Sequence, residues 1–529
     1  YAYRLPIGTM EVVDNFAPQA LRDYYEKWYR PDLQGIIVVG DIDVDRMESA
    51  IKRIFGDIPA PVNPAERVYY PVPDTKGRIF AIGKDKEQPQ AIIDIMIKHD
   101  ATPDSVKNTV EYAMREYVVK MITSMLNNRL SDMTSNPATA FSVAGTSYDD
   151  FFMSKTKECF DINAVGKGDS ITPAFEEIYR ELLRALRGGF TVGEYQRAKA
   201  KYMSAMEEAY NNRATTPSTS YGFELVRHFL DNESVPGIEA EYQLAQMMTN
   251  MIPLEAINAV LPQLVKLDDN VVVMALLPEN DTYVVPTAEE LAAVMARVEA
   301  EDIAPYVDEI KSEPLIPELP APGSITATRE LPQYDAVEWT LSNGAKVIAK
   351  ITDFKDDEIL MQAIARGGYS TTTAAPNDIQ FLSLAMWQSG LGSYTSNDME
   401  KYLAGKRVSL KPSFRELYRS LSGNCAPKDI STLMEMIYMT FTDYTITEDE
   451  FNATKAMVTG LIQNQLTTPE YNFQRELYKF LYPSPYEQAL TMDVVEQADR
   501  QTSLDIIHDM LADVDDYTFV FVGNLDLDT

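Results

Sequence analysis

The chain has 529 residues, of which 45% are hydrophobic and 10% aromatic, and its formal net charge at pH 7 is −33. This composition is too apolar for a disordered protein, and the length is sufficient for roughly three to four domains. The acidic balance argues against nucleic acid as a partner, because phosphate contacts would be repelled. No apolar run approaches the roughly 18 residues of a membrane-spanning helix, so no membrane-spanning segment is predicted.

One short motif occurs near both ends of the chain. Residues 35–45 read GIIVVGDIDVD, residues 518–528 read TFVFVGNLDLD, and a weaker copy at 270–280 reads NVVVMALLPEN. Each apolar run is typical of a strand. Each copy also follows a helical pattern, at 17–29, 253–265 and 503–514. Copies about 240 residues apart indicate one domain that is repeated along the chain.

The second repeat has the clearest series of predicted elements. The patterns predict strands at 79–84 and 90–97, a long helix at 103–126, two strands within 140–165, and helices at 173–187 and 193–210. This order predicts an α+β fold, in which tandem repeated domains each contain a mostly antiparallel sheet covered by helices.

Two capping boxes place a helix start at the same point of the second and third repeats. In Thr191-x-x-Glu194 and in Thr447-x-x-Glu450, each side chain can bond the backbone N–H of the other residue. Thr-Thr-Pro sequences then follow, at 215–217 and 467–469, and each precedes another helical pattern. The shared register supports a duplication.

A proline-rich connection separates these two repeats. Prolines occur at positions 305, 314, 317, 320, 322 and 332. Because proline fixes φ and lacks a backbone donor, residues 305–335 are predicted to form an extended linker rather than a core element. Asn343-Gly344, between two apolar runs, predicts a β-hairpin at the start of the third repeat.

The histidines and cysteines form no recognisable metal-binding pattern. We interpret His99 as a surface residue at a strand end, His228 as a structural residue at an apolar core-type position, and His508 as a structural residue within a helix. Cys159 and Cys425 lie in different repeats, which excludes a Cys-x-x-Cys site and predicts free structural thiols.

Two further motifs fail on their residue types. Residues 41–45 (DIDVD) begin like a calcium loop, but Lys52 occupies the position that requires a bidentate glutamate, so a helix cap is expected instead. Residues 390–392 (GLG) are half of a phosphate-binding loop with no preceding strand, and nucleotide binding is not predicted.

The repeats and motifs together resemble the insulinase (pitrilysin-like) metallopeptidases, whose metallohydrolase-like α+β domains form two halves joined by a linker. The resemblance covers essentially the whole chain and is greatest to single-chain bacterial members. Its most specific match is residues 5–45, and the further matches are 126–148, 190–199, 339–368 and 446–455.

The resemblance implies a division of the chain into four parts. Residues 1–66 would be the C-terminal part of a truncated, catalytic-type first domain, and residues 67–304 a second peptidase-family domain. Residues 305–335 would be the linker between the halves, and residues 336–529 a third, inactive domain.

The family's catalytic motif is H-x-x-E-H on a helix, with a distant glutamate, which bind a zinc ion and activate water. This sequence lacks the motif, and the resemblance places it upstream of Tyr1. The equivalent helix of the third repeat is expected at 381–392, where Ser383, Met386 and Trp387 would occupy the ligand positions. None of these can replace an imidazole or a carboxylate. No catalytic, metal or substrate-binding residue is therefore assigned.

By this resemblance the chain is a fragment of a zinc metalloendopeptidase that encloses and hydrolyses peptides or unfolded polypeptides. Zinc is expected in the intact parent protein, whereas the fragment is predicted to bind none and to be inactive. Its expected partners are peptide substrates and the missing domains or an active subunit. The alternative is a non-catalytic family member that acts as a partner subunit or scaffold of an active peptidase. The bacterial likeness suggests the cell envelope or periplasm.

Overall fold

The computed structural model describes residues 8–279, 283–466, 468–482, 484–486 and 488–527. Small parts of the predicted motifs, at residues 5–7, 280, 467 and 528, lie outside the described residues. The chain forms two compact units. The smaller unit contains the described residues of 1–72, 102–113 and 216–235, and the larger contains 73–101, 114–215 and the described residues of 236–529.

The secondary structure alternates between helices and strands. The helices are α1 (Met10–Asn15), α2 (Pro18–Trp28), α3 (Val44–Phe55), α4 (Val110–Thr134), α5 (Thr172–Gly188), α6 (Val192–Asn211), α7 (Ser218–Asp231), α8 (Ile238–Met251), α9 (Leu254–Leu264), α10 (Ala288–Glu299), α11 (Pro376–Ala385), α12 (Ser396–Tyr402), α13 (Ile430–Thr442), α14 (Glu448–Gln465), α15 (Pro469–Leu481), α16 (Met492–Gln497) and α17 (Arg500–Met510). The strands are β1 (Arg78–Asp85), β2 (Ile92–Asp100), β3 (Phe141–Asp150), β4 (Lys157–Gly166), β5 (Val271–Pro278), β6 (Ile325–Leu331), β7 (Ala336–Leu341), β8 (Lys346–Ile351), β9 (Ile359–Arg366), β10 (Gly390–Leu391), β11 (Val408–Phe414), β12 (Tyr418–Cys425), β13 (Tyr444–Thr445) and β14 (Thr518–Gly523).

The sheet of the second repeat lies in the larger unit and has five strands in the order β1-β5-β2-β4-β3. Its first and last strands, β1 and β5, pair in parallel, and the other neighbours are antiparallel. One face of β2 presents Ile93, Ile95 and Ile97 to a core that also contains Ile122 of α4 and Ile178 of α5. This is the helix-covered, mostly antiparallel sheet that the sequence predicts.

The sheet of the third repeat contains the same five-strand arrangement and two further strands, β7 and β6. Its order is β11-β12-β9-β14-β8-β7-β6, in which β8, β14, β9, β12 and β11 match β1, β5, β2, β4 and β3. The match includes the parallel pairing of first with last strand, here β8 with β14. The Asn343-Gly344 hairpin joins β7 to β8, and Gly344 has φ +90°, the left-handed conformation that such turns require. The α+β duplication is therefore confirmed.

The first copy of the repeated motif differs from the other two. Residues 271–278 and 518–523 form β5 and β14, whereas residues 36–39 form neither a strand nor a helix, and Ile36 and Val38 are exposed. The described residues of the smaller unit include no strand at all. An apolar run forms a paired strand only where another strand accepts its backbone hydrogen bonds, so the expected strand at 36–39 is not observed.

Two predicted segments also have different boundaries. The long helix expected at 103–126 is α4, which begins at Val110 after a short 3-10 turn at Asp104–Val106 and continues to Thr134. The Thr109 hydroxyl accepts the N–H of Tyr112 and sets this start. In the connection expected to be a linker, residues 325–331 form β6, an exposed edge strand whose position beside β7 satisfies half of its backbone groups.

Candidate functional site

The three imidazoles each bond a backbone carbonyl of a neighbouring segment. His99 Nε2 donates to Leu264 O at 2.8 Å, His228 Nδ1 to Glu233 O at 2.7 Å, and His508 Nε2 to Tyr444 O at 2.9 Å. They lie on β2, α7 and α17 respectively. These bonds hold each ring in a structural role, as the sequence suggests.

The surroundings of two histidines differ from the prediction. His99 is half-buried against the Tyr148 ring rather than on the surface, and burial lowers the pKa of its imidazole. His228 is exposed on α7 rather than at a core position, because α7 buries none of its residues. An apolar residue at the matching repeat position, Phe480, is itself exposed.

The counterpart of the family's zinc helix was expected at 381–392, but the helix there, α11, covers Pro376–Ala385, and β10 follows at Gly390–Leu391. Ser383 therefore lies on α11, whereas Met386 and Trp387 follow its end. Of the three residues predicted at ligand positions, Ser383 and Trp387 are exposed and Met386 is half-buried. A hydroxyl, a thioether and an indole do not fit a zinc ion, which binds imidazole, thiolate or carboxylate. Within the described ranges, no group of three or more His, Cys, Asp or Glu side chains is arranged to hold a metal ion.

The remaining motif predictions are resolved by local contacts. Asp43 accepts the N–H of Arg46 at 3.0 Å and caps α3, which confirms a helix cap in place of a calcium loop. Cys159 and Cys425 are free and buried, and burial raises the pKa of both thiols to about 12. Such thiols are protonated at neutral pH and unreactive.

A network around Arg129 is the most buried set of charges in the second repeat. From α4, its Nε donates to Glu194 Oε1 at 2.6 Å, and its Nη2 donates to Glu194 Oε2 at 2.9 Å. Its Nη1 donates to Glu181 Oε1 at 3.3 Å, and the Tyr306 ring lies 4.1 Å from the guanidinium. Glu194 also completes the capping box with Thr191. The sequence showed the box but gave no sign of its distant arginine.

A polar cavity of about 360 Å³ lies between α6 of the second repeat and residues 403–407 of the third. Most of its charged lining is paired within the larger unit. Lys401 donates to Asp132 at 2.9 Å, and Arg407 pairs with Asp357 and, at 2.9 Å, with Glu208. The Lys401–Asp132 and Arg407–Glu208 pairs join the two repeats across the cavity.

Two other groups of this cavity are less fully engaged. The ammonium of Lys406 lies 3.7 Å from the centre of the Tyr402 ring, and burial lowers its pKa. The buried Ser204 hydroxyl has no hydrogen-bond partner among the side chains and backbone that the structure describes. The cavity could hold a small polar molecule, but it combines no nucleophile with a base that could activate it.

The face of the second-repeat sheet opposite its core carries two neighbouring carboxyls. Asp94 on β2 and Asp161 on β4 follow the alternation that places Ile93 and Ile95 in the core. Burial and, secondarily, the charge of Asp161 raise the pKa of Asp94 to about 7, and burial also raises the pKa of Asp161. Asn163 donates to Asp161 at 2.7 Å. The sequence signal for this pair is the charged residue Asp94 inside the apolar strand pattern IIDIMI.

The chain is similar to one described peptidase family and to proteins named as zinc proteases. Residues 15–202 match the family described as the peptidase M16 inactive domain. The chain is 25% identical over 532 aligned residues to a zinc protease PQQL-like protein of Arabidopsis thaliana, covering 99% of this chain and 49% of that protein. It is 23% identical to the probable zinc protease PqqL of Escherichia coli, with 99% and 56% covered. The chain thus spans about half the length of the curated relatives it matches.

Solved structures share the fold. The periplasmic protease PqqL of Escherichia coli superposes with a TM-score of 0.51 at 20% identity, over 99% of this chain and 57% of that one. The ferredoxin protease FusC, in complex with Arabidopsis ferredoxin, gives a TM-score of 0.62 at 17% identity, over 98% and 57%. Among the described residues, no helix has both the length and the apolar content needed to cross a membrane. The match of residues 15–202 to an M16 peptidase domain and the shared fold agree with the predicted resemblance to the insulinase/pitrilysin metallopeptidases.

Proposed function

We propose that this chain is a non-metal-binding part of a zinc-dependent metalloendopeptidase and that it does not hydrolyse peptides by itself. The observation that carries the proposal is the engagement of its imidazoles. The sequence has three histidines, and each donates to a carbonyl on a different element. A zinc peptidase needs neutral imidazoles whose ring nitrogens converge on one ion.

The second part of the proposal concerns the intact polypeptide. The curated relatives are named zinc proteases and are about twice as long as the matched region. We therefore assign the zinc motif to polypeptide outside this chain, and peptides or unfolded proteins as substrates enclosed between two halves. In this arrangement the two sheets described above supply wall and packing surface. We also propose a periplasmic or cell-envelope location in a bacterium, which the likeness to the periplasmic PqqL supports.

The direct test uses the purified 529-residue chain. It is incubated with one equivalent of Zn²⁺ and dialysed, and bound metal is measured by atomic absorption. Cleavage of internally quenched peptides and of unfolded casein is measured in parallel. We expect neither stoichiometric zinc nor cleavage above the blank. A variant carrying His99→Asn, His228→Asn and His508→Asn measures adventitious zinc. The proposal would be refuted if the unsubstituted chain bound one equivalent of zinc that the triple variant did not bind, and if it also cleaved peptides in a reaction that a chelator stops.

The non-catalytic alternative makes a different prediction about the gene. A zinc peptidase requires H-x-x-E-H and a distant glutamate within roughly one domain length, about 200 codons, upstream of Tyr1. A matching upstream domain without those ligands would instead support a partner subunit or scaffold. Sequencing that region decides between the two.

A further inference from the structure

A largely apolar groove of about 640 Å³ runs along α13 in the third repeat. Val347 of β8 and Phe521 of β14 line it on the sheet side. Ile430, Met434 and Tyr438, one turn apart, line it on the helix side. We call this surface the α13 groove. Apolar side chains at four-residue spacing along one helix are typical of a face that packs against another element.

The residues of the second repeat that correspond to the helix side of the α13 groove are buried. The register of the two capping boxes pairs Met434 with Ile178 of α5 and Tyr438 with Leu182. Ile178 and Leu182 are both 0% exposed, whereas Met434 is 45% exposed and Tyr438 36% exposed. Since the five shared strands have the same order in both sheets, we attribute the difference to a helix that the second repeat has and the described part of the third repeat lacks.

That element is α10, which follows β5 in the second repeat. It packs on α5 and β1, the counterparts of α13 and β8. The Tyr179 hydroxyl of α5 donates to Glu299 at the end of α10, at 2.6 Å. Four apolar side chains of α10 are buried in the core: Leu291, Val294, Met295 and Val298. Their spacing of three, one and three residues forms a single helical stripe.

The sequence that follows β14 repeats the sequence that follows the apolar run of the first copy of the motif. Residues 524–528 read NLDLD and repeat residues 41–45, DIDVD. In the first copy, Asp43 is the N-cap of α3. Asp526 occupies the equivalent position, and Asp526 and Leu527 both line the α13 groove. A helix that begins here would start at the groove itself.

We propose that the α13 groove is the seat of an amphipathic helix that directly follows β14 in the natural polypeptide, capped by Asp526 and bearing an apolar stripe spaced as in α10. This helix would seal Met434 and Tyr438 as α10 seals Ile178 and Leu182. The proposal concerns the packing of the third repeat and does not depend on any peptidase activity.

A thiol reporter in the groove tests the proposal. Met434→Cys is made in the 529-residue chain and in the natural reading frame continued by roughly 40 codons, enough for a helix of ordinary length and its connection. The rate of alkylation is then measured at several protein concentrations. Cys159 and Cys425 contribute little background because both are buried. We expect the extension to slow labelling at least about tenfold, since a covered thiol reacts only after local opening.

Thr442→Cys is the matched control, because Thr442 is an exposed α13 residue outside the groove. Its labelling rate should be the same in both proteins. Equal rates at position 434, or a stop codon directly after Thr529, would overturn the proposal. Protection that appears without the extension and grows with protein concentration would also overturn it, because the occupant would then be a second copy of the chain.

Discussion

Arg129 is expected to contribute strongly to the stability of the second repeat. Its guanidinium is 1% exposed and is the shared partner of the buried Glu194 and Glu181 carboxylates. We predict that Arg129→Met lowers the free energy of unfolding by about 3–5 kcal/mol, because the substitution leaves the buried Glu194 carboxylate without its cation, whereas Glu181 keeps its pair with Arg184. Urea unfolding monitored by circular dichroism measures the loss.

The control for Arg129 is an ion pair on the surface. Arg329 donates to Glu338 at 2.6 Å but its side chain is 66% exposed. We expect Arg329→Met to cost less than about 1 kcal/mol, because solvent screens an exposed pair. Equal losses for the two substitutions would show that the Arg129 network is not the strong, buried interaction described above.

Asp94 makes a prediction about pH. Burial raises its pKa in the folded chain to about 7. Between the ordinary aspartate pKa of about 3.9 and this value, the folded state keeps a proton that the unfolded state has released. The contribution of Asp94 therefore lowers stability as pH rises through that window. Because the group is partly exposed and its charge screened, we expect an effect on the order of 1–2 kcal/mol.

The measurement compares variants across pH 5–8. Asp94→Asn cannot ionise, so its free energy of unfolding should fall less with rising pH than that of the parent chain. Asp149→Asn removes an exposed carboxyl of β3, two strands away from β2 in the same sheet, and its profile should follow the parent. If Asp94→Asn and the parent have parallel profiles, the carboxyl is not held in its protonated form.

At the level of elements, the capping boxes differ in what their glutamates hold. Glu450 is 2% exposed; it accepts the N–H of Thr447 at 2.8 Å and the N–H of Ser396, at the start of α12, at 2.7 Å. Glu290 accepts only the cap N–H of Thr287 among the bonds described for it, and it is exposed. The first glutamate thus ties two helices together, and the second caps one.

Glu450→Ala should therefore cost more than Glu290→Ala. We predict about 2–4 kcal/mol for Glu450→Ala, because two backbone donors lose their acceptor in a buried site. Glu290→Ala should cost about 0.5–1 kcal/mol, since water can replace an exposed cap. Denaturation of both variants under the same conditions measures the difference. Comparable losses would argue against a bridging role for Glu450.

These elements also show how far the sequence can predict the fold. The capping boxes at Thr191 and Thr447 and the Asn343-Gly344 hairpin depend on contacts within a few residues, and the sequence predicts them correctly. The sequence wrongly predicts a strand at 36–39 and misses the strand at 325–331. Whether a segment pairs as a strand depends on a neighbouring strand that its own residues do not specify. The Arg129–Glu194 pair escaped prediction for the same reason, as its partners lie 65 positions apart.

At the scale of the whole molecule, the second and third repeats of the larger unit are held together closely. Besides Arg407 with Glu208, Lys428 pairs with Glu207 of α6, and the segment 403–407 approaches α6 with its backbone. Gly405 is the point of closest approach, since a Cβ atom there would lie 2.7 Å from the Cβ of Ala200. Its φ of +84° also belongs to the left-handed region. Two independent reasons thus require glycine at this position.

Gly405→Ala should loosen this contact between the repeats. The left-handed backbone costs about 1–2 kcal/mol for alanine, and relieving the clash costs about 1–3 kcal/mol more, so we expect a loss of about 2–5 kcal/mol. Hydrogen exchange should accelerate in α6 and in residues 403–407. Gly460→Ala is the matched control, because Gly460 lies inside α14 with no atom within 4 Å of its added Cβ. There alanine should stabilise by about 0.5–1 kcal/mol. A Gly405→Ala protein as stable as the parent, with unchanged exchange in α6, would mean that the repeats are not coupled through this approach.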